Sequence, residues 1–300
     1  MHRHIIYIIN PISGTRTKTG LQQFIEEETK RKKIPFKTFP SVESGDYSFL
    51  RPIIKEEKIT DVVIAGGDGT ISQVVGSLLN EDLDFGVIPC GSGNGLAMTA
   101  GISKLPAKAL DIVFAGKASA IDGFMVNEQF ACMLCGVGFD AKVAHDFAKQ
   151  PKRGLNTYIK QVLRNFISAK TYHFGVQLKN KKFEADAFFI SIANSNQFGN
   201  NFTIAPKASL ADGMLDVVII ASSGRIKMII QTIKQVAGWN RLTTETLVKE
   251  KQGVIYFQTN KISLINHDEA PMHIDGDPAE TPAEIKIEVM KKCFRLIQPL

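Results

Sequence analysis

The sequence predicts an α/β domain built on a parallel sheet, followed by a β-rich domain of antiparallel, sandwich-like character. Three observations predict it. From residue 1 to about 117, strand-like and helix-like stretches alternate, the rhythm of right-handed crossovers between parallel strands. From about residue 120, strand-like runs follow one another with mostly turns between them. Strands of the first half also end in loops of glycine and small polar residues, where ligands of parallel sheets sit.

Taken in order, His4–Asn10 reads as a strand and Gly20–Lys32 as a helix with Leu21, Phe24 and Ile25 on its apolar side. Pro35–Phe39 is a second strand, and Tyr47–Lys58 a helix interrupted or started by Pro52. Val62–Ala65, four apolar residues closed by Gly66, is a buried parallel-type strand. Ile71, Val74, Val75 and Leu78 then follow at helical spacing. Asp84–Pro89 is a fourth strand, with a short helix from about Leu96. Beyond 120 the strands are Ala131–Val137, Phe174–Leu178, Phe183–Ala193, Leu215–Ala221, Val254–Thr259, Ile262–Ile265 and Ile285–Val289, interrupted by helices at Leu155–Lys170 and Ile226–Trp239. Cys293–Gln298 is a strand able to return to the first domain. This places one domain at 1–118 plus 293–300, the other at 119–292, and a site in the cleft between them.

A chain of 300 residues has ample length for such a pair of cores. The net charge of +6, from 36 basic and 30 acidic residues, suits an anionic substrate or membrane surface and does not identify a nucleic-acid binder. The opening apolar run is too short for a signal peptide, and no window approaches the ~20 apolar residues of a membrane span. Four cysteines fit a reducing compartment, so a cytoplasmic protein is expected. Cys132 and Cys135, read within one strand, point to opposite faces and belong to the core. The six histidines show no metal spacing and receive no role.

Three loops carry the chemistry: Asn10-Pro-Ile-Ser-Gly14, Gly66-Gly-Asp-Gly-Thr70 and Pro89-Cys-Gly-Ser-Gly-Asn-Gly95. Together they put side-chain-poor bends on one sheet edge, where backbone N–H groups and a helix start favour polyphosphate. Ser13, Thr70 and Ser92 supply hydroxyls, and Asn10 and Asn94 amides. Asp68 is the telling residue. A carboxylate beside phosphate must be bridged by a cation or face a hydroxyl; otherwise Asp68 makes an Asx-type bond in a tight turn. Neither a P-loop nor a dinucleotide fingerprint is present.

These loops, with Gly136-Val-Gly-Phe-Asp-Ala141, Ile204-Ala-Pro-Lys-Ala-Ser-Leu-Ala-Asp-Gly-Met-Leu-Asp216 and Ile274-Asp-Gly-Asp277, resemble the diacylglycerol kinase catalytic-domain family. That family includes bacterial soluble lipid kinases and the sphingosine and ceramide kinases. The resemblance spans nearly the whole chain and implies an ATP- and Mg²⁺-dependent lipid kinase, with a nucleotide domain and a β-rich lipid domain. Carried over, Gly66, Gly67, Asp68, Gly69, Thr70, Ile71, Ser72, Gly91 and Ser92 would contact ATP, and Ser41 too, aligned through Gly45-Asp46. Asp277 stands where the family has a glutamate as proposed general base, one methylene shorter here, with Asp68 as the next candidate. A structural magnesium site falls on Ser209, Asp212 and Met214, the first and last through carbonyls; a solvated turn is the other reading.

Substrate identity stays open between diacylglycerol and a sphingoid base. Asp140 is placed where sphingosine kinases hold an acidic residue for the substrate amine, or else it caps the following helix. The helix Leu155–Lys170 carries Leu155, Ile159, Val162 and Phe166 on one face with Lys160, Arg164 and Lys170 beside them, fit for transient membrane contact or for packing on the domain. Rival readings are an NAD kinase, disfavoured by Gly91-Ser-Gly-Asn94 where that enzyme has its Asn-Glu motif, and a non-catalytic lipid or nucleotide binder. The residues specify no oligomeric state, and a homodimer is compatible with them.

Overall fold

In the computed structural model, residues 3–11, 19–150, 155–196, 205, 208–221 and 253–299 are described. The expected helix Ile226–Trp239 and the loop residue Ser13 lie outside them.

The first half alternates as its sequence rhythm predicts. β1 (Ile5–Ile9) leads to α1 (Thr19–Arg31), β2 (Phe36–Pro40), α2 (Leu50–Glu56), β3 (Asp61–Gly66), α3 (Asp68–Leu78), β4 (Asp84–Pro89) and the short α4 (Gly95–Thr99). β1 pairs in parallel with β2 and β3, and β3 with β4, giving the order β2-β1-β3-β4. β1 and β3 are buried along their whole length, as expected of parallel strands covered on both faces. Ile25 of α1, Ile71, Val74 and Val75 of α3, and Leu50 of α2 form one core with these strands. Lys30 and Arg31 end α1, where cations oppose the helix dipole favourably.

The next two elements are absent from the sequence reading. α5 (Pro106–Ala115) starts with proline in its first turn, and β5 (Lys117–Val126) follows with only Gly116 between them. The expected strand Ala131–Val137 is two strands, β6 (Gln129–Ala131) and β7 (Leu134–Gly138), with a bend at Cys132-Met133. The two cysteines therefore do not share one strand; both are buried free thiols.

α6 (Phe139–Ala148) and α7 (Leu155–Ile167) pack on one another through Phe139 and Phe166, whose rings meet edge-on at 6.2 Å. Val162 and Phe166 of the predicted apolar stripe thus turn inward, while Leu163 is 65% exposed. Among the described residues, no helix is long and apolar enough to cross a membrane.

β8 (Tyr172–Leu178), β9 (Lys181–Ala193), β10 (Leu215–Ala221), β11 (Val254–Thr259), β12 (Lys261–Asn266), β13 (Met272–Ile274), β14 (Asp277–Ala279) and β15 (Glu284–Gln298) complete the β-rich part, whose pairings are antiparallel. β15 joins what the sequence separates into Ile285–Val289 and Cys293–Gln298. It pairs antiparallel with β12 at its start, and near its end in parallel with β4, Arg295 opposite Asp84. A register shift between Met290 and Phe294, with Lys292 at φ +50°, lets one strand bend between the two parts. The exposed Lys291-Lys292 pair reads as a break in sequence for that reason.

Asp122 of β5 holds this junction. Its fully buried carboxylate accepts the N–H of Lys292 at 2.7 Å and of Gly213 at 2.6 Å, and its own N–H donates to the Leu210 carbonyl at 2.6 Å. Asp122→Ala orphans two main-chain donors and is expected to cost about 3 kcal/mol in urea unfolding, with Asp122→Asn costing less because one acceptor remains.

Candidate active site

The strand order reverses direction around β1 and β3, so their carboxyl ends open a crevice. Three loops line it. Asn10, just past β1, donates its N–H to the Ala65 carbonyl at 2.9 Å and its side-chain N–H to Thr70 Oγ1 at 2.9 Å, tying the first loop to the second. Thr70 packs on Gly66, where a Cβ would lie 2.9 Å from the threonine Cβ. The second and third loops meet backbone to backbone: a Cβ on Gly91 would approach Gly67 Cα to 2.6 Å. Glycine is required at Gly91 by this close approach.

Asn94 organises the third loop from within. In the left-handed region at φ +59°, it accepts the Gly91 N–H at 2.7 Å and returns a hydrogen bond to the Gly91 carbonyl at 2.8 Å. Ser92 sits half-buried at the loop's tip, and Ser41, past β2, donates its N–H to the Ile9 carbonyl at 3.0 Å.

Asp68 has a different first duty from either reading of the sequence. Its carboxylate accepts the N–H groups of Gly95 at 3.0 Å and Leu96 at 3.1 Å, which have no partner within the helix at the start of α4. It thereby fastens the second loop to the third. Burial pushes its pKa up to about 6, against the lowering effect of those two bonds and with added repulsion from Asp275. Ile71 and Ser72 lie on the inner side of α3: Ile71 is in the core, and Ser72 donates its hydroxyl to Asp275.

Asp275 is the residue that sequence reasoning passed over. It and Gly276 have φ of +50° and +87° and form a two-residue turn joining β13 to β14, with Ile274 opposite Asp277. Asp-Gly between short extended runs is the signature of such a turn, and could have revealed the hairpin. The Asp275 carboxylate is buried and accepts the N–H groups of Cys132 (3.0 Å), Met133 (3.0 Å) and Leu134 (2.7 Å) besides the Ser72 hydroxyl. Burial raises its pKa despite these donors.

So anchored, the hairpin lays Asp277 on the second loop. A Cβ at Gly69 would stand 1.9 Å from Asp277 Oδ2, so the carboxylate rests on the glycine's bare Cα. Asp277 is exposed where Asp275 is buried. The second loop thus contacts the third through Gly67 and Gly91 and the hairpin through Gly69 and Asp277.

Asp140 is in the first turn of α6, which Gly138 rather than Asp140 caps. One carboxylate oxygen accepts the Ala141 N–H at 2.8 Å; the other is 3.4 Å from His273 Nε2. Both side chains are buried, packed where Gly136 lacks a Cβ. His273 Nδ1 accepts the Gly276 N–H at 3.3 Å, so the pair sits directly beneath the Asp277 hairpin. Nothing in the sequence marks His273. Asp212 is exposed and accepts the Met214 N–H at 3.0 Å, and Ser209, also exposed, accepts that of Ala211 at 3.4 Å.

A doubly wound sheet with bare glycine loops at its switch point, roofed by a carboxylate hairpin from a β-rich part, defines a phosphotransferase of two-part build. Residues 4–126 match the diacylglycerol kinase catalytic domain, and residues 134–298 the YegS C-terminal NAD kinase beta sandwich-like domain; the chain belongs to this kinase family. It is 30% identical over 265 residues to the probable lipid kinase YegS of Escherichia coli O6:K15:H31, covering 86% of this chain and 84% of that protein. It is 24% identical to the probable lipid kinase YegS-like of Shewanella frigidimarina, over 81% of this chain and 78% of that one. In fold it is similar to a diacylglycerol kinase structure from Bacillus anthracis, with TM-score 0.72, 16% identity and coverage of 99% and 97%. Membership of a kinase family makes ATP the phosphoryl donor.

Because folding favours protonated Asp68, its contribution to stability is full below pH 3.8 and is lost as pH rises through about 6. In the nucleotide-free protein, Asp68→Asn should gain on the wild type by about 2 kcal/mol between pH 4 and pH 7, read from urea unfolding at each pH. A constant difference across that range would contradict this assignment.

Proposed function

We propose that this kinase transfers the γ-phosphoryl group of ATP to the hydroxyl of a neutral lipid alcohol of the diacylglycerol kind. The observation that carries the reading is the Asp277 carboxylate lying on Gly69, a titratable oxygen directly over the glycine loop. The relatives named lipid kinases support the lipid class, and the match of residues 4–126 to a diacylglycerol kinase catalytic domain favours it over NAD as acceptor.

The residues present fit the nucleotide. Gly66, Gly67 and Gly91 bring the second and third loops into close backbone contact, and side-chain-free loops of this kind let backbone N–H groups approach phosphate oxygens closely. Thr70 and Ser92 bring hydroxyls to it and Asn10 holds Thr70 in place. Bound there, ATP with Mg²⁺ supplies an activated phosphoryl group whose negative charge is partly neutralised. Asp277 orients the lipid hydroxyl and accepts its proton as the oxygen attacks. Its shorter reach than glutamate is met by Gly69, whose missing side chain lets the carboxylate lie against the loop. Asp68 acts by holding the second and third loops together. A hydrated Mg²⁺ on the exposed Asp212 with the carbonyls of Ser209 and Met214 remains part of the proposal, as a support for the turn that Asp122 anchors.

Asp140 bears on which lipid. An amine-recognising carboxylate should present its charge to the ligand, whereas the Asp140 side chain is buried beside His273. This favours a neutral glycerolipid over a sphingoid base. The exposed Leu163, between Lys160 and Arg164 on α7, is suited to peripheral membrane contact by a cytoplasmic enzyme.

Asp277→Asn should lower kcat by about 100-fold or more while ATP binding persists, since only proton acceptance is lost. Gly69→Ala, which pushes the same carboxylate away, should reproduce the kcat loss with an intact fold. Full turnover in both variants would place the base elsewhere. In a radiolabelled-ATP assay over a lipid panel, diacylglycerol should be phosphorylated in preference to sphingosine, and Asp140→Asn should depress both acceptors alike. Selective loss with sphingosine would restore the amine-recognition role.

A further inference from the structure

A second cluster lies on the solvent face of the β-rich part, on three adjacent strands. β8 contributes His173 and Gly175, β9 contributes Glu184 and Asp186, and His267 follows β12. Register puts them on one face. His173 is opposite Asp186, and Gly175 stands between Glu184 on one side and Ile265 on the other. The N–H of His267 donates to the His173 carbonyl at 3.2 Å, which continues the row.

Gly175 makes the convergence feasible. A Cβ there would touch both Glu184 carboxylate oxygens at 3.4 Å, so the glutamate folds across bare backbone toward the two imidazoles. Its Oε2 ends 3.4 Å from His173 Nε2 and 3.7 Å from His267 Nε2. All three donor atoms lie within 4.8 Å of one another. With metal–ligand bonds of about 2.0–2.2 Å, the edge of a tetrahedral site is roughly 3.4 Å, close to these separations.

The neighbouring residue points the same way. Asp186 Oδ1 is 2.8 Å from His173 Nδ1, so the aspartate accepts that nitrogen's proton and directs the Nε2 lone pair at the cluster. Carboxylate, histidine, metal is the order in which proteins orient imidazole ligands. The two rings lie 5.0 Å apart and tilted by 35°, near enough to share one ion.

We propose that His173, Glu184 and His267 bind one Zn²⁺-type divalent ion, with solvent in the fourth position, clamping β12 to the β8–β9 hairpin away from the phosphoryl-transfer site. Two imidazoles and one carboxylate are a borderline donor set, suited to zinc or cobalt rather than to magnesium or calcium. Metal binding requires unprotonated imidazoles, so protons compete with the ion and affinity should fall as pH is lowered. This site rests on strand register and side-chain geometry, independent of the kinase reading.

Calorimetric titration of the metal-free full chain with Zn²⁺ should give one saturable site. His267→Ala and Glu184→Gln should each weaken it by about 10-fold or more, and Asp186→Asn by about 10- to 100-fold through its hold on His173. Co²⁺ should show the visible absorption of a tetrahedral complex, abolished by Zn²⁺ and by His267→Ala. Kinase turnover should be unchanged in all three variants. These residues are exposed, so the variants should fold, as circular dichroism would check. Absence of saturable Zn²⁺ binding, or a wild-type affinity in His267→Ala, would overturn the site and leave the cluster as pairing of histidines with acids.

Discussion

The buried carboxylate of Asp275 is the constraint on which the candidate active site depends. Its partners come from two places, the Ser72 hydroxyl on α3 and the three consecutive N–H groups at the β6–β7 bend, while Asp275 itself stands at the turn of a hairpin. A charge taken out of water is tolerated only when donors replace its hydration. Here four donors converge, and each belongs to a segment that must be placed correctly for the charge to be satisfied. The electrostatic requirement therefore becomes a positional one. Satisfying Asp275 sets the β13–β14 hairpin against α3, and Asp277, two residues on, lies over Gly69.

Asp68 does for the nucleotide side what Asp275 does for the hairpin. By accepting the first N–H groups of α4, it makes the Gly66–Thr70 and Pro89–Gly95 loops a single unit. The contact of Gly67 with Gly91 shows how little space that unit leaves. Two buried acids near one another raise each other's cost, and burial outweighs the hydrogen bonds at both. A rim of loops built this way accepts some instability in exchange for positions that are fixed in advance. Asp122 applies the same principle to the β-rich part, where one carboxylate ties the β15 bend to the Leu210–Gly213 turn.

Sequence legibility differed between the two halves for a physical reason. Parallel strands buried on both faces leave continuous apolar runs, as in Val62–Ala65, and the helices between them carry their own period, so the α/β part could be read locally. In the β-rich part, pairing is non-local. The division of Ala131–Val137 by a bend follows from what Asp275 needs there, and the union of two short runs into β15 follows from the Asp122–Lys292 bond. Neither partner is near in sequence. Among the site residues, the glycines of the loops and Asp277 were visible as motifs. The duties of Asp68 and Ser72 were not, because a motif records which residue is present and not which donor it meets.

By itself the sequence determined the order of strands and helices in the first half, the placing of bare loops at strand ends, and membership in a kinase family. Those are properties of local period, of backbone freedom at glycine, and of residue patterns. Tertiary structure decided which acid lies on the loop and which is buried beneath it, why Asp140 faces His273, and how β8, β9 and β12 assemble His173, Glu184 and His267 on one surface. Each depends on contacts between residues tens to hundreds of positions apart, and such contacts exist only once the chain has closed on itself.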